Sequence, residues 1–216
     1  LNYYIGIAIG FGIVVFYILS GGFIAVAWSD FFQGALMFVG LLILPPVIFY
    51  SLNDSDSIIK GLGEIDPGLL NLWGFGGFNL MNFFTVLGLL SIGIGFMGSP
   101  QVYVRFIAIS NTIEIEKGKW VAILYTFLTD SSAVLIGILA RYMFTKKGYN
   151  PELVLGVGGE DVLSLVIGQV MPSIIVGVYI AAVLSAVMST IDSLLVVASS
   201  AVTRDLYQKI IRPNIS

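Results

Sequence analysis

The chain has 216 residues, of which 57% are hydrophobic and only 11% carry charged side chains, and its mean hydropathy is +0.98. Soluble domains average about 25% charged residues, so this composition indicates a membrane protein. The net charge of −3 argues against a nucleic-acid partner, and the sequence has no cysteine or histidine for thiolate or imidazole chemistry. The chain opens with neither Met nor a basic leader region, so we expect a segment of a longer protein.

Apolar runs predict an all-α integral membrane protein with a single transmembrane domain over residues 1–216. Gly21-Gly22 ends the first run, and Pro45-Pro46 lies near the end of the second. The polar stretches at about 51–79 and 145–171 are predicted as external loops. Together, these signals predict five membrane spans, at about 3–20, 28–50, 80–109, 120–144 and 172–203.

The third span is predicted to be broken near residues 93–100, where Gly93, Gly95, Gly98 and Pro100 occur within eight residues. We expect two half-helices joined by an unwound segment, and the alternative is one kinked helix that tolerates glycine. Broken helices at membrane depth occur where they line a cavity or lie within protein, and their free backbone groups bind ions and polar substrates.

The fifth span combines an apolar composition with a polar stripe. At about 100° per residue, six of its polar residues fall within roughly 120° of arc. No Lys or Arg lies within one turn of Asp192, although a charge near mid-bilayer costs about 2.5–3.5 kcal/mol. Asp192 should therefore face protein, water or an ion. The stripe consists of Ser185, Ser189, Asp192, Ser193, Ser199 and Ser200.

Asp30 lies near the start of the second span, at a depth comparable to that of Asp192, and is the partner that we predict for it. Hydroxyls and carboxylates without a cationic partner are suitable ligands for a hard cation, and a site of mostly neutral oxygens favours Na⁺ over Ca²⁺. The alternative is that these Ser and Thr side chains pack helices and bond to carbonyls one turn earlier, which suffices for Ser199 and Ser200.

Asp130, in the fourth span, is compatible with either a structural hydrogen bond or a role in transport. The enzymatic alternative is an intramembrane aspartyl protease with Asp130 and Asp192 as its dyad. It is disfavoured, because such proteases are characterised by YD and GxGD patterns and neither aspartate lies in one. No enzymatic activity is therefore predicted.

Three ordered motifs resemble the sodium:solute symporter family. Residues 186–207 resemble its signature helix, A-x-M-S-T-x-x-S-x-L-L-x-x-S-S-x-x-x-x-D-x-Y. Trp28-Ser29-Asp30 followed by Gln33 is similar to its W-[ST]-D-x-x-Q helix start, and residues 93–105 are similar to its G-x-G-x-x-G-x-P-x-x-x-x-R segment. The resemblance, which in the signature helix extends to the bacterial sodium/proline branch, implies a leucine-transporter-type bundle of five plus five inverted-repeat helices, of which this chain would cover core helices four to eight.

The resemblance also implies site residues. A sodium site would use the Ala186 carbonyl with Ser189 and Thr190, and its other half would come from a first core helix outside this chain. A second cation site or ion exit would use Asp30, Ser189, Asp192 and Ser193, although a hydroxyl residue is more usual where Asp192 stands. Substrate contacts map to the broken helix, at Gly93, Phe96, Met97, Ser99, Pro100 and Gln101.

We therefore expect Na⁺-coupled symport of a small organic solute by alternating access, with H⁺ as the alternative coupling ion. The expected partners are the solute, the lipid bilayer and the remaining helices of the transporter. Six Lys and Arg residues on one side against four on the other favour a cytoplasmic C-terminal end. The resemblance implies a bacterial inner membrane. The alternative function is a solute sensor on the same fold that does not transport.

Overall fold

The computed structural model describes residues 3–52, 55–71, 73–74 and 76–212, and every regular element among them is a helix. Two short 3₁₀ helices, Pro67–Leu70 and Val157–Gly159, lie between α-helices, and the last α-helix continues as a π-helix over Ala201–Ile211. The α-helices are α1 (Tyr3–Ser51), α2 (Ser55–Ile65), α3 (Leu80–Met97), α4 (Pro100–Ile107), α5 (Thr112–Lys146), α6 (Pro151–Val154), α7 (Val162–Val170) and α8 (Ser173–Ser200).

Among the described residues, four helical stretches are long and apolar enough to cross a membrane: Tyr4–Ser51, Leu80–Met97, Thr112–Lys146 and Ser173–Ile211. The first of them, with 48 residues, would be about 72 Å long if straight, against a bilayer core of about 30 Å. It is interrupted at Gly22, whose backbone (φ 56, ψ −147) is not helical and is accessible essentially only to glycine. Gly22 is where the sequence predicts the first span to end.

The chain folds back at Gly22. Tyr17 and Ser29 both donate hydrogen bonds to the same carboxylate oxygen, Oδ2 of Asp192. In a straight helix these two residues would lie about 18 Å apart along the axis, more than a tyrosine and a serine side chain can span together. Helix α1 therefore contains two helical segments, residues 3–21 and 23–51, and the described residues form five apolar helical segments in all.

Two compact units make up the structure. The first, which we call the ion unit, comprises Leu1–Met37, Gly98–Asn111 and Ala181–Ser216. The second, the packing unit, comprises Phe38–Met97 and Thr112–Ile180.

The packing unit has a continuous apolar core. Buried residues of α1, α2, α5 and α7 meet there, among them Leu44, Leu62 and Val166. At Gly61 the helices approach so closely that an added Cβ would lie 2.3 Å from the Tyr142 ring. The Tyr179 hydroxyl donates to the Gly40 carbonyl at 2.8 Å, which fixes α8 against α1 within this unit.

The two predicted loops are largely helical. Helix α2 and a 3₁₀ helix lie within 51–79, and α6, a 3₁₀ helix and α7 lie within 145–171. Ile58 and Ile167 are buried in the core, so these segments are not simply exposed connections. Their apolar side chains recur at helical spacing and can be buried only by packing onto the membrane helices.

Several element boundaries differ from the sequence prediction, among them the start of α5, which lies at Thr112 rather than near residue 120. Helix α3 continues through Gly93 and Gly95 to Met97, and the break is confined to Gly98 and Ser99. Glycine lowers helix propensity by only about 1 kcal/mol per residue, whereas Pro100 cannot continue a helix and begins α4 instead. The last helix runs to Ile211, beyond the predicted end near residue 203.

Candidate functional site

Asp192 is the most deeply buried polar side chain of the ion unit. It is fully buried, and its Oδ2 accepts hydrogen bonds from the hydroxyls of Tyr17 and Ser29, the latter at 3.2 Å. Its Oδ1 is buried without a hydrogen-bond partner among the described residues. A carboxyl group in such surroundings is costly unless hydrogen bonds or an ion compensate for the lost water.

Asp30 lies in the same unit and contacts a cation. Its Oδ1 accepts a hydrogen bond from the Ser189 hydroxyl, and its Oδ2 lies 2.5 Å from Nη2 of Arg105. The same guanidinium nitrogen donates to the Ser193 hydroxyl oxygen at 2.6 Å. Ser193 in turn donates to the Ser189 carbonyl at 3.0 Å.

These bonds form two sets, one around Asp192 and one around Asp30, and we call their seven residues together the polar cluster. Ser189, Asp192 and Ser193 share one face of α8 because residues three and four apart on a helix are neighbours. Ser29 and Asp30 are adjacent on α1, beyond the fold-back at Gly22, and Arg105 lies in the last turn of α4. Three separate stretches of sequence thus converge on one face of α8. The members are Tyr17, Ser29, Asp30, Arg105, Ser189, Asp192 and Ser193.

The residues predicted to form the sodium site lie at the edge of this cluster. The Thr190 hydroxyl donates to the Ala186 carbonyl at 3.1 Å, so these two oxygens are close together. Ser189 is partly buried by its bond to Asp30, whereas Thr190 is exposed. The structure thus places three oxygen-bearing groups on adjoining turns of α8.

The predicted substrate segment lies at the break between α3 and α4. Gly93, Phe96 and Met97 belong to the last turns of α3, and all three are exposed. Ser99 is extended (φ −72, ψ 133) and its carbonyl accepts from the first turn of α4, which begins at Pro100 and Gln101.

The partnership of Asp30 and Asp192 at one cation site stays a prediction, and the two carboxylates have separate hydrogen-bond donors. Those of Asp192 are Tyr17 and Ser29, and those of Asp30 are Ser189 and Arg105. The expectation of carboxylates without a cationic partner is wrong for Asp30, which forms an ion pair with Arg105. The physical reason is that Arg105, counted in the sequence as a charge outside the membrane, has a side chain long enough to reach inward from the end of α4.

Three members of the polar cluster are absent from the predicted site: Tyr17, Ser29 and Arg105. Signals for each exist in the sequence. A tyrosine hydroxyl within an apolar span needs a hydrogen-bond partner when buried, and Ser29 and Arg105 belong to the two motifs already recognised. Asp130 lies in the packing unit and is exposed, outside the polar cluster.

An all-α membrane protein with a broken helix and a polar cluster on a long apolar helix has the features of a transporter core. Comparison with known proteins defines the class. A sequence model of the sodium:solute symporter family matches residues 1–216. The chain belongs to that family, and the curated relatives that it matches are named as transporters, not as enzymes.

The curated relatives include proline transporters of two bacterial genera. The chain is 32% identical over 220 residues to the high-affinity proline transporter PutP of Bacillus subtilis. This match covers 100% of this chain and 44% of that protein. It is 34% identical over 214 residues to sodium/proline symporter 2 of Staphylococcus saprophyticus, covering 97% of this chain and 39% of that protein. The chain thus spans about two-fifths of the length of the relatives that it matches. No solved structure matches it.

Proposed function

We propose that this chain forms the ion-binding core of a Na⁺-coupled symporter for a small organic solute, and that proline is the solute. The observation that carries the proposal is the polar face of α8, where oxygens of Ala186, Ser189 and Thr190 adjoin the buried cluster. Family membership and the names of the relatives support the ion and the solute.

The Na⁺ ligands on this chain would be the Ala186 carbonyl and the hydroxyls of Ser189 and Thr190. Three neutral oxygens suit a monovalent hard cation better than Ca²⁺, which requires more ligand charge. A carbonyl or hydroxyl oxygen that takes part in one hydrogen bond retains a lone pair for an ion. The bond from Ser189 to Asp30 fixes the orientation of that hydroxyl, as outer-shell partners commonly do for ion ligands.

The remaining helices of the transporter would complete the site on its open side, where Thr190 is exposed. An ion held between α8 and such a helix would favour the conformation in which the two are in contact. Solute affinity would then rise with Na⁺ occupancy, which is a coupling free energy between two sites. Alternating access follows if release of Na⁺ allows the helices to separate.

Ion release would pass the polar cluster. Asp30, Asp192 and Ser193 supply oxygens next to Ser189, so they offer a departing Na⁺ successive ligands. A proton is the alternative coupling ion at Asp192, because a buried carboxyl group can bind either. Solute would contact the segment of Gly93, Phe96, Met97, Ser99, Pro100 and Gln101, where the helix break leaves backbone groups outside the regular helical pattern.

The helices and the charges support a placement in the membrane. No residue of α3 is buried, so its apolar surface is available to lipid and to further helices. We place the protein in the bacterial plasma membrane with the end of α8 on the cytoplasmic side, where basic residues are in excess.

A transport assay on the full-length protein in proteoliposomes tests this proposal. Replacing Ser189 and Thr190 together by Ala should raise the Na⁺ concentration for half-maximal proline uptake at least tenfold, equivalent to about 1.4 kcal/mol of ion binding. Ser199→Ala is the matched control, because that hydroxyl is exposed and donates only to the Val196 carbonyl. An unchanged Na⁺ dependence in the double variant would refute the site, and wild-type protein that binds proline without transporting it would favour the sensor.

A further inference from the structure

A cavity of about 770 Å³ lies in the packing unit, between α2 and the end of α5. The ring of Tyr142 is buried beside it, and Gly61 approaches that ring so closely that an added Cβ would lie 2.3 Å from it. This approach brings Lys60 of α2 and Lys146 of α5 to the same cavity. Ligand pockets commonly have about 300–1,000 Å³, so the space suffices for a ligand group. The cavity is lined by Lys60, Gly61, Glu64, Ile65, Tyr142, Thr145 and Lys146.

The lining carries an excess of positive charge. The ion pairs of the described residues use other Lys and Arg side chains, so neither Lys60 nor Lys146 has a carboxylate partner among them. Nζ of Lys146 lies 5.8 Å from the centre of the Tyr142 ring, and this cation–π contact holds the ammonium group at the cavity. Glu64 is the only carboxylate among the described lining residues, so two lysines and one glutamate leave a formal charge of +1.

The cavity lies where a membrane-crossing helix ends. Helix α5 is long and apolar enough to cross a membrane, and Lys146 is its last residue. On α2, Ile58 is buried in the core, whereas Ile59 is 66% exposed and precedes the exposed Lys60. An exposed apolar side chain beside a lysine is typical of a helix at the lipid–water interface. The headgroup region of a bilayer begins at the end of such a span.

We propose that this cavity binds the phosphate group of an anionic phospholipid, such as phosphatidylglycerol, between Lys60 and Lys146. The single negative charge of a phosphodiester neutralises the charge of the lining. Each ammonium group offers three donors to the phosphate oxygens, and such charge-assisted hydrogen bonds are roughly twice as strong as neutral ones. The acyl chains lie against apolar surface such as Ile59. The site is separate from the residues proposed to bind Na⁺ and solute, so it does not rest on the proposed function.

The experiment is native mass spectrometry of the purified, delipidated full-length protein in detergent, titrated with phosphatidylglycerol or with phosphatidylcholine. Phosphatidylcholine has the same phosphate without a net charge, so wild-type protein should bind phosphatidylglycerol more tightly. A lysine near anionic lipid contributes about 1 kcal/mol, or about fivefold in affinity. Lys60→Gln and Lys146→Gln should therefore each weaken phosphatidylglycerol binding about fivefold, and together about 30-fold. Glu64→Gln should tighten it, because it removes the opposing charge.

Two controls separate this site from general attraction and from a free anion. Lys147→Gln removes an equal charge from the next residue, whose Nζ donates to Gln169 Oε1 at 2.5 Å and which does not line the cavity. It should leave the affinity unchanged. Excess inorganic phosphate should leave the lipid bound, because the acyl chains add contacts that a free ion lacks.

Three results would overturn the inference. Equal binding of phosphatidylglycerol and phosphatidylcholine by wild-type protein would do so, and that comparison needs no variant. A loss in Lys147→Gln as large as in the double lysine variant would show that only the overall surface charge matters. Displacement of the lipid by inorganic phosphate would assign the cavity to a free anion instead. Both substituted lysines are exposed, so the variants should keep the unfolding free energy of the wild-type protein.

Discussion

The hydrogen bond from Tyr17 to Asp192 should be a principal tie between α1 and α8 within the ion unit. Asp192 is fully buried, and Tyr17 and Ser29 are its two hydroxyl donors. A hydrogen bond to a charged group contributes about 1.5–3 kcal/mol to stability. Tyr17→Phe should therefore lower the free energy of unfolding by about 1.5–3 kcal/mol.

Replacing the acceptor should cost more. Asp192→Ala leaves two hydroxyls without their acceptor, and the loss of both bonds amounts to about 3–6 kcal/mol. Adding Tyr17→Phe to Asp192→Ala should then cost little, because the bond is already absent, so the coupling energy of the double-mutant cycle should be about 1.5–3 kcal/mol.

The assay is denaturant unfolding of the full-length protein in detergent, with the four proteins of the cycle measured under one set of conditions. Tyr50→Phe is the matched control, because Tyr50 is 83% exposed and should change stability by less than about 0.5 kcal/mol. A coupling energy near zero would refute the reasoning, since it would mean that Tyr17 and Asp192 do not act as a pair.

Three further changes test the fold, each read as a change in the unfolding free energy of the full-length protein. Gly22→Ala should destabilise the protein by about 1–3 kcal/mol, because the backbone conformation at Gly22 excludes a Cβ. Gly10→Ala is the control, because Gly10 has open space around it. Equal effects of the two substitutions would contradict the fold-back at Gly22. Gly61→Ala should cost about 1–3 kcal/mol through overpacking against Tyr142, and no loss would mean that α2 does not pack there. Tyr179→Phe removes its hydrogen bond to a carbonyl of α1 and should cost about 0.5–1.5 kcal/mol, whereas an unchanged stability would show that the bond is not formed.

The helices could be predicted from the sequence because their signals are local. Apolar runs long enough for a bilayer mark the spans, and Gly22 and Pro100 mark two interruptions whose causes lie in the backbone itself. The extent of the break could not be predicted, since Gly93 and Gly95 lower helix propensity without preventing a helix.

The polar face of α8 could likewise be predicted from helical spacing, but its partners could not. Tyr17 and Asp192 are 175 residues apart, and Arg105 and Asp30 are 75 apart. Periodicity within one helix shows which side chains share a face and leaves open which other helix meets that face. Helical spacing alone therefore predicts Arg105 at the membrane surface and no role for Tyr17.

The most direct test of the central claim is solute accumulation by the full-length protein in sealed proteoliposomes, with the membrane potential clamped at zero. An inward Na⁺ gradient should concentrate labelled proline inside the vesicles above the outside level, and dissipating that gradient should abolish the accumulation. Proline that merely equilibrates, at the same rate with and without the Na⁺ gradient, would contradict Na⁺-coupled symport.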